Sequence, residues 1–427
     1  MQKTLKIWHL IIGLCLILLL IRLNRVINSY ILLIEYIGLF FSNYTFAVNQ
    51  LSLSLIDPLI SALMIVFLPI FLFLKRNKIS ILSSRLNFTA VVLIILTIFF
   101  IFAPFVADSN PDFQKNLSVT RLLPPLSVVK VIHLKDKGKT TLNDIGKFIT
   151  QKKLVVKNIF NESIIFADSV HVDLGVIYFQ KGFSTKISNK KLQFKNGKPY
   201  ITSRMFILGT DELGRDIYSR LVYGARVSLF VGLGSVVISL LLGLSLGFLA
   251  GYIGGIIDTI ISRFTDMFMA FPIIFLIILI LAFFGNSLLS IIIVLGFSGW
   301  MSLFKIVRGE VISLKTKDFF ISAKLIGLPK RNLLLKEILP LILAPVIVNL
   351  VFQYGNVILA EAALSFLGLG TGNLYPSWGA MIAAGQNYLS QAWWMIFFPG
   401  ITLFFTLYVA NNLGKEINVK LNPRLNE

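Results

Sequence analysis

Few residues in this 427-residue chain are spaced for covalent chemistry. The carboxylates of Glu361, Asp57 and Glu35 lie in or beside long apolar runs, where an ionisable side chain is costly and points to function. Glu361 is the strongest of the three. It could line a path, pair with a partner subunit, or hold a helix bundle together. The chain has no HExxH, no GxSxG and no GxxxxGK[ST], so it lacks a phosphate-cradling loop of its own. Cys15 is the one thiol, which excludes a disulfide or a CxxC pair within the chain. His9, His133 and His171 are too scattered for a metal cluster. No catalytic residue, cofactor or metal is expected.

The residues with an internal order lie instead at Asp318–Pro340, DFFISAKLIGLPKRNLLLKEILP. Phe319, Phe320, Ile321, Ala323 and Leu325 make an apolar side, while Lys315, Lys317 and Lys324 stay wet. Ser322 and Ala323 are small enough to let a partner's backbone approach. Gly327 suits the left-handed turn that ends a helix. Leu328 follows it, and Pro329 suits the first turn of a second short helix. Lys330, Arg331 and Lys336 face the cytosol or lipid phosphates, and Pro340 opens the next apolar run. The product is a rigid elbow with an apolar knob, suited to mechanical contact.

A second ordered stretch is Leu208–Tyr252. Thr210 or Asp211 is placed to cap a helix. Ile217, Leu221 and Val222 form a stripe for lying along a membrane face, and Asp211, Arg215, Asp216 and Arg220 are spaced to pair with one another. Gly232, Gly234, Gly243, Gly247 and Gly251 follow. Gly243 and Gly247 make a GxxxG pair, which permits close helix contact in lipid. That contact could be internal packing, a partner interface or part of a path.

The elements that must position these residues are membrane helices. The chain is 56% hydrophobic and 14% charged, with a mean hydropathy of +0.82, which indicates a polytopic membrane protein. The net charge of +20 reads as inside loops and anionic lipid. No nucleic-acid reader motif accompanies it, so nucleic acid is not an expected partner. A span needs about 20 mostly apolar residues. Ile7–Leu20 reads as a short uncleaved anchor, Val26–Gln50 as ambiguous or interfacial, and Pro58–Leu74 as a span. Leu86–Val106, Val227–Leu249, Phe271–Phe284, Leu288–Ile306, Leu341–Leu364 and Trp393–Leu413 make a core of six. Between them, 107–207 is polar and Lys-rich, with strand-like Val128–Leu134, Leu154–Phe160 and Val170–Gln180 and an Asn196-Gly197 hairpin signal.

Charges set the orientation. The Lys75–Arg85 loop, the Lys305–Glu337 loop and the tail with Lys415, Lys420 and Arg424 are basic, whereas Phe366–Gln391 is uncharged. The basic set goes to the cytoplasm with both termini. The segment 107–207, with 17 Lys/Arg against 7 Asp/Glu, goes outside, since long translocated segments are exempt from the rule. The expected division is a membrane extension over 1–80 with about two spans, a first core span at 81–106, a β-rich extracytoplasmic insertion at 107–207, a core at 208–414 and a tail at 415–427.

Six ordered motifs carry a family resemblance. They are Arg121-Leu-Leu-Pro-Pro125; Leu208-Gly209-Thr210-Asp211-Glu-Leu-Gly214-Arg215-Asp216 with Tyr223-Gly-Ala-Arg226; Asp266 through Ala270-Phe-Pro272; Arg308-Gly309 with Ser322-Ala323, Gly327 and Ile338-Leu-Pro340; Glu361 through Gly370; and Pro376-Ser-Trp-Gly379 with Phe398-Pro-Gly400. Together they resemble the permease subunits of binding-protein-dependent ABC importers, in the dipeptide/oligopeptide/nickel branch, and in particular the second permease of the pair. The resemblance runs from about Leu86 to Arg424, interrupted once. It implies an all-α, six-span permease fold in the cytoplasmic (inner) membrane of a prokaryote. It also implies an EAA-type ATPase-docking loop at 308–340. The implied partners are a second homologous permease, two ABC ATPases that hydrolyse the ATP, and an extracytoplasmic solute-binding protein. The transported solute would be a peptide or a related small molecule. Ile321 stands where the family usually has the glutamate that names the loop. The first 80 residues and the long insertion fall outside the resemblance, and they leave a membrane-anchored receptor or envelope scaffold as the alternative.

Overall fold

The computed structural model describes residues 6–75, 86–135, 144–156, 163–172, 175–370, 372 and 375–421. Most of the basic Lys75–Arg85 loop, and Arg424 of the tail, lie outside those residues. The chain forms two compact units, Met1–Arg226 with Ala384–Pro399, and Val227–Ala383 with Gly400–Glu427.

The first unit opens with four helices, α1 (Ile7–Ile21), α2 (Leu23–Ser42), α3 (Tyr44–Asn49) and α4 (Leu53–Lys75), followed by α5 (Phe88–Val106). Cys15, Ala62, Ile65, Phe102 and Phe105 bring α1, α4 and α5 into one core. Pro104 lies inside α5 and has no N–H to give the Phe100 carbonyl, and the backbone leaves helical geometry at Phe102. Arg226 fills that gap. Its Nε donates to the Phe100 carbonyl at 2.6 Å and its Nη2 to the Ile101 carbonyl at 2.8 Å. Ser61 Oγ on α4 donates to the same Ile101 carbonyl at 2.7 Å, and Asp57 on α4 pairs with the guanidinium. At the end of α5, Arg22 donates to the Phe105 carbonyl at 3.1 Å and pairs with Asp108, while Arg25 donates to the carbonyls of Ala107 and Asp108. Cations belong at a helix C-terminus, where carbonyls point outward.

Beyond α6 (Leu117–Thr120), the described residues of the polar insertion build eight strands and one α-helix. In chain order these are β1 (Ser127–His133), α7 (Asp144–Val156), β2 (Ile164–Ala167), β3 (Ser169–Val172), β4 (Val176–Gln180), β5 (Phe183–Ile187), β6 (Phe194–Lys195), β7 (Lys198–Pro199) and β8 (Ile201–Phe206). Two antiparallel three-stranded sheets form, ordered β2-β1-β8 and β3-β4-β5. Val129 and Val131 of β1 pack with Ile164, Phe166 and Phe206. Ile132 turns to a second core with Val176, Ile187 and Leu192. Asn196 and Gly197 both take positive φ, +52° and +75°, as the β6–β7 hairpin turn requires. Leu154–Phe160 is not the expected strand: Leu154–Val156 finish α7, and 157–160 lie outside the described residues. Tertiary packing decides this, because Phe148 of α7 is buried among Leu32, Leu39, Leu55 and Leu59. Gln151 also donates to the Asn28 carbonyl at 3.0 Å.

The remaining helices are α8 (Ile217–Ile253), which crosses the division at Arg226, then α9 (Gly255–Ala270), α10 (Ile273–Phe284), α11 (Leu288–Lys315), α12 (Asp318–Leu325), α13 (Lys330–Asn332), α14 (Leu339–Phe366), α15 (Trp378–Gln386) and α16 (Trp394–Leu421). Among the described residues, seven helices are long and apolar enough to cross a membrane, including Leu23–Ser42, and the pair α9 and α10 adds an eighth if counted as one. The expected span at Phe271–Phe284 is therefore different in form. It is a 12-residue helix set at 92° to α9, because Pro272 forces Phe271 into extended backbone. A 12-residue helix reaches only about 18 Å.

Replacing Asp57 with alanine leaves Arg226 without its counter-ion. The expected loss is about 1.5–3 kcal/mol, the range for a hydrogen bond to a charged group. Asp57→Asn, which still accepts a hydrogen bond, should lose less. Unfolding by titration with sodium dodecyl sulfate measures both.

Candidate functional site

The elbow is held from beneath. Phe320 and Ala323 of α12 are buried with Leu303, Val307 and Val311 of α11, and with Leu333, Ile338, Ile342 and Val346. Ala323 is thus spent on the chain's own core and does not offer the open approach expected of it, whereas Ser322 is exposed. Phe319, Ile321, Leu325 and Leu328 point outward, and so does Ile326, which the sequence reading passed over. Leu325 and Ile326 are 82% and 81% exposed. Gly327 takes φ +83°. Its N–H bonds the Lys324 carbonyl at 3.1 Å, and the Leu328 N–H bonds the Ala323 carbonyl at 3.2 Å. That pair of bonds is a Schellman stop. The second helix is not separate. From α13 the chain runs through a π-turn, Leu333–Ile338, directly into α14. Pro340 cannot donate to the carbonyl four residues back, and the wider π-turn absorbs the break.

Two ion pairs brace the elbow's root. Arg308 on α11 forks onto Asp258 of α9, and Lys305 meets Asp266 at 2.9 Å. Lys315 Nζ donates to the last carbonyls of α8, Gly251 at 3.2 Å and Tyr252 at 2.7 Å. Periodicity gives no sign of these partners, which are 39 to 64 residues away in the chain.

Gly243, Gly247 and Gly251 face α11 of the same chain. A Cβ on them would come within 2.8, 2.7 and 2.9 Å of Leu303, Val307 and Val311. Backbone and side chain meet along a seam that only glycine permits.

Glu361 is 2% exposed. Ser228 Oγ donates to its Oε2 at 3.1 Å and Ser365 Oγ to its Oε1 at 2.9 Å, and the Ser377 hydroxyl also bonds it. Ser228 Oγ accepts the Trp378 N–H at 3.3 Å, and Ser377 Oγ accepts the Ala380 N–H at 3.1 Å. The carboxylate therefore ties the start of α15 to α8 and α14. The motif at Pro376–Gly379 was visible in the sequence, but its attachment to Glu361 was not.

The Leu208–Asp216 stretch is a built turn in the first unit. Thr210 and Asp216 form an isolated bridge, so neither Thr210 nor Asp211 caps a helix. Asp216 does so, accepting from the Ser219 N–H at 3.1 Å. Asp211 accepts from the N–H groups of Leu213 and Arg215 and from Arg215 Nε at 2.6 Å, with Arg220 3.7 Å away. Asp216 has Arg204 at 3.9 Å. Glu212 is half-sheltered beside them, and burial, with Asp211 adding to it, pushes its carboxyl above the usual glutamate range. Ile217, Leu221 and Val222 are buried and do not lie on a membrane face. The turn grips Arg121–Pro125: Thr210 Oγ1 donates to the Thr120 carbonyl, the Leu123 N–H donates to Thr210 Oγ1 at 2.8 Å, and the Thr210 N–H bonds the Leu123 carbonyl at 3.0 Å. Gly209 and Gly214, both with positive φ, sit so close to Leu123 and Thr120 that a side chain would collide. Two motifs read separately in the sequence form one knot.

Residues 243–425 match the model of the family described as "Binding-protein-dependent transport system inner membrane component". The chain is 37% identical over 220 residues to the di/tripeptide transport system permease protein DppC of Pseudomonas aeruginosa, covering 52% of this chain and 73% of that one. The chain belongs to this permease family. It is also 38% identical over 216 residues to the oligopeptide transport system permease protein OppC of Haemophilus influenzae, covering 51% of this chain and 70% of the other. A putative peptide transport system permease protein of Brucella suis is 40% identical over 239 residues, covering 54% and 80%. This chain is thus a multi-pass, membrane-embedded permease component of a binding-protein-dependent ABC importer, with a helical core and small sheets in its insertion.

In this permease, Gly247→Leu should overpack the seam against Val307. The expected cost is about 1–3 kcal/mol, read as a lower thermal midpoint of the detergent-purified protein, with Gly247→Ala intermediate.

Proposed function

We propose that this permease, paired with a second homologous permease, imports peptides or a related small solute. Two ABC ATPases docked on the 318–340 elbow would drive it, and an extracytoplasmic solute-binding protein would supply it. One observation carries the docking reading. Phe319, Ile321, Leu325, Ile326 and Leu328 are exposed around a helix whose other face is locked into α11 and α14. A buried Leu or Ile is worth about 1.5–3 kcal/mol, so a knob of this kind suits a protein pocket better than water. The names of the peptide-permease relatives support the solute class. Closure of the ATPase pair would push α12. The Schellman stop and the ion pairs at Arg308 and Lys305 would pass that motion to α9, α11 and α14 as a rigid body, with no chemistry on the solute. The contact rests on shape and apolar surface, since Ile321 replaces the usual acid.

The same reading places both termini and the elbow in the cytoplasm, with the 107–207 insertion outside. It further assigns the first crossing to α1 rather than α2. Trp8 of α1 stacks edge-on against Phe73 of α4, and Arg22 and Arg25 reach the outer end of α5. Helix α2 then continues outward along α7, with Gln151 and Lys152 of α7 bonded to Asn28 and Gln50.

Two measurements test this. Leu325→Asp with Ile326→Asp, both outward-facing, should leave the permease in the membrane while ATPase co-purification and peptide uptake fall at least tenfold; full retention would sink the docking assignment. Ile34→Cys, in a Cys15→Ser background, should react with a membrane-impermeant maleimide added from outside. A cysteine there that stays unlabelled, while one in the β6–β7 hairpin is labelled, would put α2 in the bilayer.

A further inference from the structure

Helix α14 carries three carboxamides on one stripe, Asn349, Gln353 and Asn356. At about 100° per residue they fall within about 60° of one another. The helix has 28 residues, Leu339–Phe366, and a crossing takes about 20. A crossing begun at 339 ends at 358, and one that ends at 366 begins at 347. Residues 347–358 are therefore in hydrocarbon wherever the crossing is set, and all three carboxamides lie in that stretch. A polar side chain there is costly unless it finds a partner or faces an aqueous route.

Their partners are incomplete. Ser239 Oγ of α8 donates to the Gly296 carbonyl at 2.6 Å, so the same oxygen can only accept from Gln353 Nε2, also at 2.6 Å. That fixes the Gln353 amide and leaves its Oε1 for another donor. Gly299 of α11 makes room for this clasp, since a Cβ there would lie 1.8 Å from Gln353 Nε2. Among the described residues, neither Gln353 Oε1 nor Asn349 Oδ1 accepts a hydrogen bond, although both oxygens are enclosed. Asn356 is exposed. On the other side of the stripe, Phe352 lies against Gly414 of α16. The stripe thus faces the gap between the clasp and α16.

An occupant needs donors that a neighbouring membrane helix lacks. Such a helix has bonded its own N–H groups internally and has only side chains to offer. An extended peptide brings free N–H groups, and those on one edge recur about every 6.6 Å, at alternate residues. Asn349 and Gln353 are about 6 Å apart along the helix axis, and Asn349 and Asn356 about 10.5 Å. The stripe is scaled to about three residues of extended peptide. A carboxamide both donates and accepts, as a peptide unit does. The stripe carries no charge, so it matches the main chain of a peptide and not one kind of side chain.

We propose that Asn349, Gln353 and Asn356 form a hydrogen-bonding rail for the main chain of a peptide solute. The inference rests on the importer reading above and names the residues that touch the solute. The two enclosed oxygens are reached as the stripe opens, and an unmet acceptor favours that opening. The test uses the whole importer in vesicles, with its solute-binding protein, ATP and an alanine tripeptide carrying cysteine at its centre. In a Cys15→Ser background, Asn349→Cys and Asn356→Cys should each form a disulfide with this peptide when oxidant is added during turnover. Ile347→Cys, exposed on the opposite face of α14, should not. Equal trapping at all three positions, or at none while the wild type imports the peptide, overturns the proposal. Cross-linking of Asn356→Cys to the second permease by a bismaleimide, with no peptide adduct, assigns the stripe to helix packing and overturns it.

Uptake gives a second reading. Asn349→Leu with Asn356→Leu should lower tripeptide uptake about fivefold for each hydrogen bond lost, with the amount of permease in the membrane and its ATPase co-purification unchanged. Asn349→Gln with Asn356→Gln keeps both amides and should restore most of the uptake. Full uptake in the leucine pair defeats this proposal alone. Wild-type vesicles that import no peptide defeat the importer reading, and this proposal with it.

Discussion

Inside a bilayer no water is available to satisfy a carbonyl freed by a break in a helix, and the architecture of this permease follows from that constraint. Its helices are broken at Pro104, Pro272 and Pro340, and each break is resolved differently. At Pro104 a cation from α8 and a hydroxyl from α4 occupy the loose carbonyls of α5. At Pro272 the helix stops and restarts at a steep angle. At Pro340 the backbone widens into a π-turn and continues. The C-terminal carbonyls of α8 receive Lys315, and those of α5 receive Arg22 and Arg25. Most of these charged side chains serve the backbone or another charge.

The elbow has two faces. Phe320 and Ala323 hold it, and Phe319, Ile321, Leu325 and Ile326 are left exposed. A helix of eight residues cannot stand alone in water. It persists because one face is a core face and because Gly327 closes its end with two backbone bonds. The outward face is therefore presented by a rigid mount.

Much of this was legible in the sequence, for identifiable reasons. Long apolar runs announce helices because lipid admits little else, and Asn196-Gly197 announces a turn because few residues accept positive φ. The left-handed stop at Gly327 followed from residue type in the same way. What could not be read was partnership. Asp57 with Arg226, Glu361 with Ser228 and Ser377, and the grip of Thr210 on Leu123 all join residues far apart in the chain, and no local period encodes them. Local pattern also misjudged Leu154–Val156, whose alternation suits a strand but whose neighbour Phe148 fits a pocket between helices. It misjudged Ala323 as well: a small residue on a helix serves an outside partner or the helix beneath equally, and only the packing decides.

The pairing of Arg226 with Asp57 joins α8 to α4 across 169 residues of chain. Ser61 of α4 bonds the same guanidinium. A chain shortened by its first eighty residues would lose both partners at once, and the guanidinium would keep the carbonyls of Phe100 and Ile101 but not its counter-ion. Helix α4 is therefore part of the support on which α8 stands.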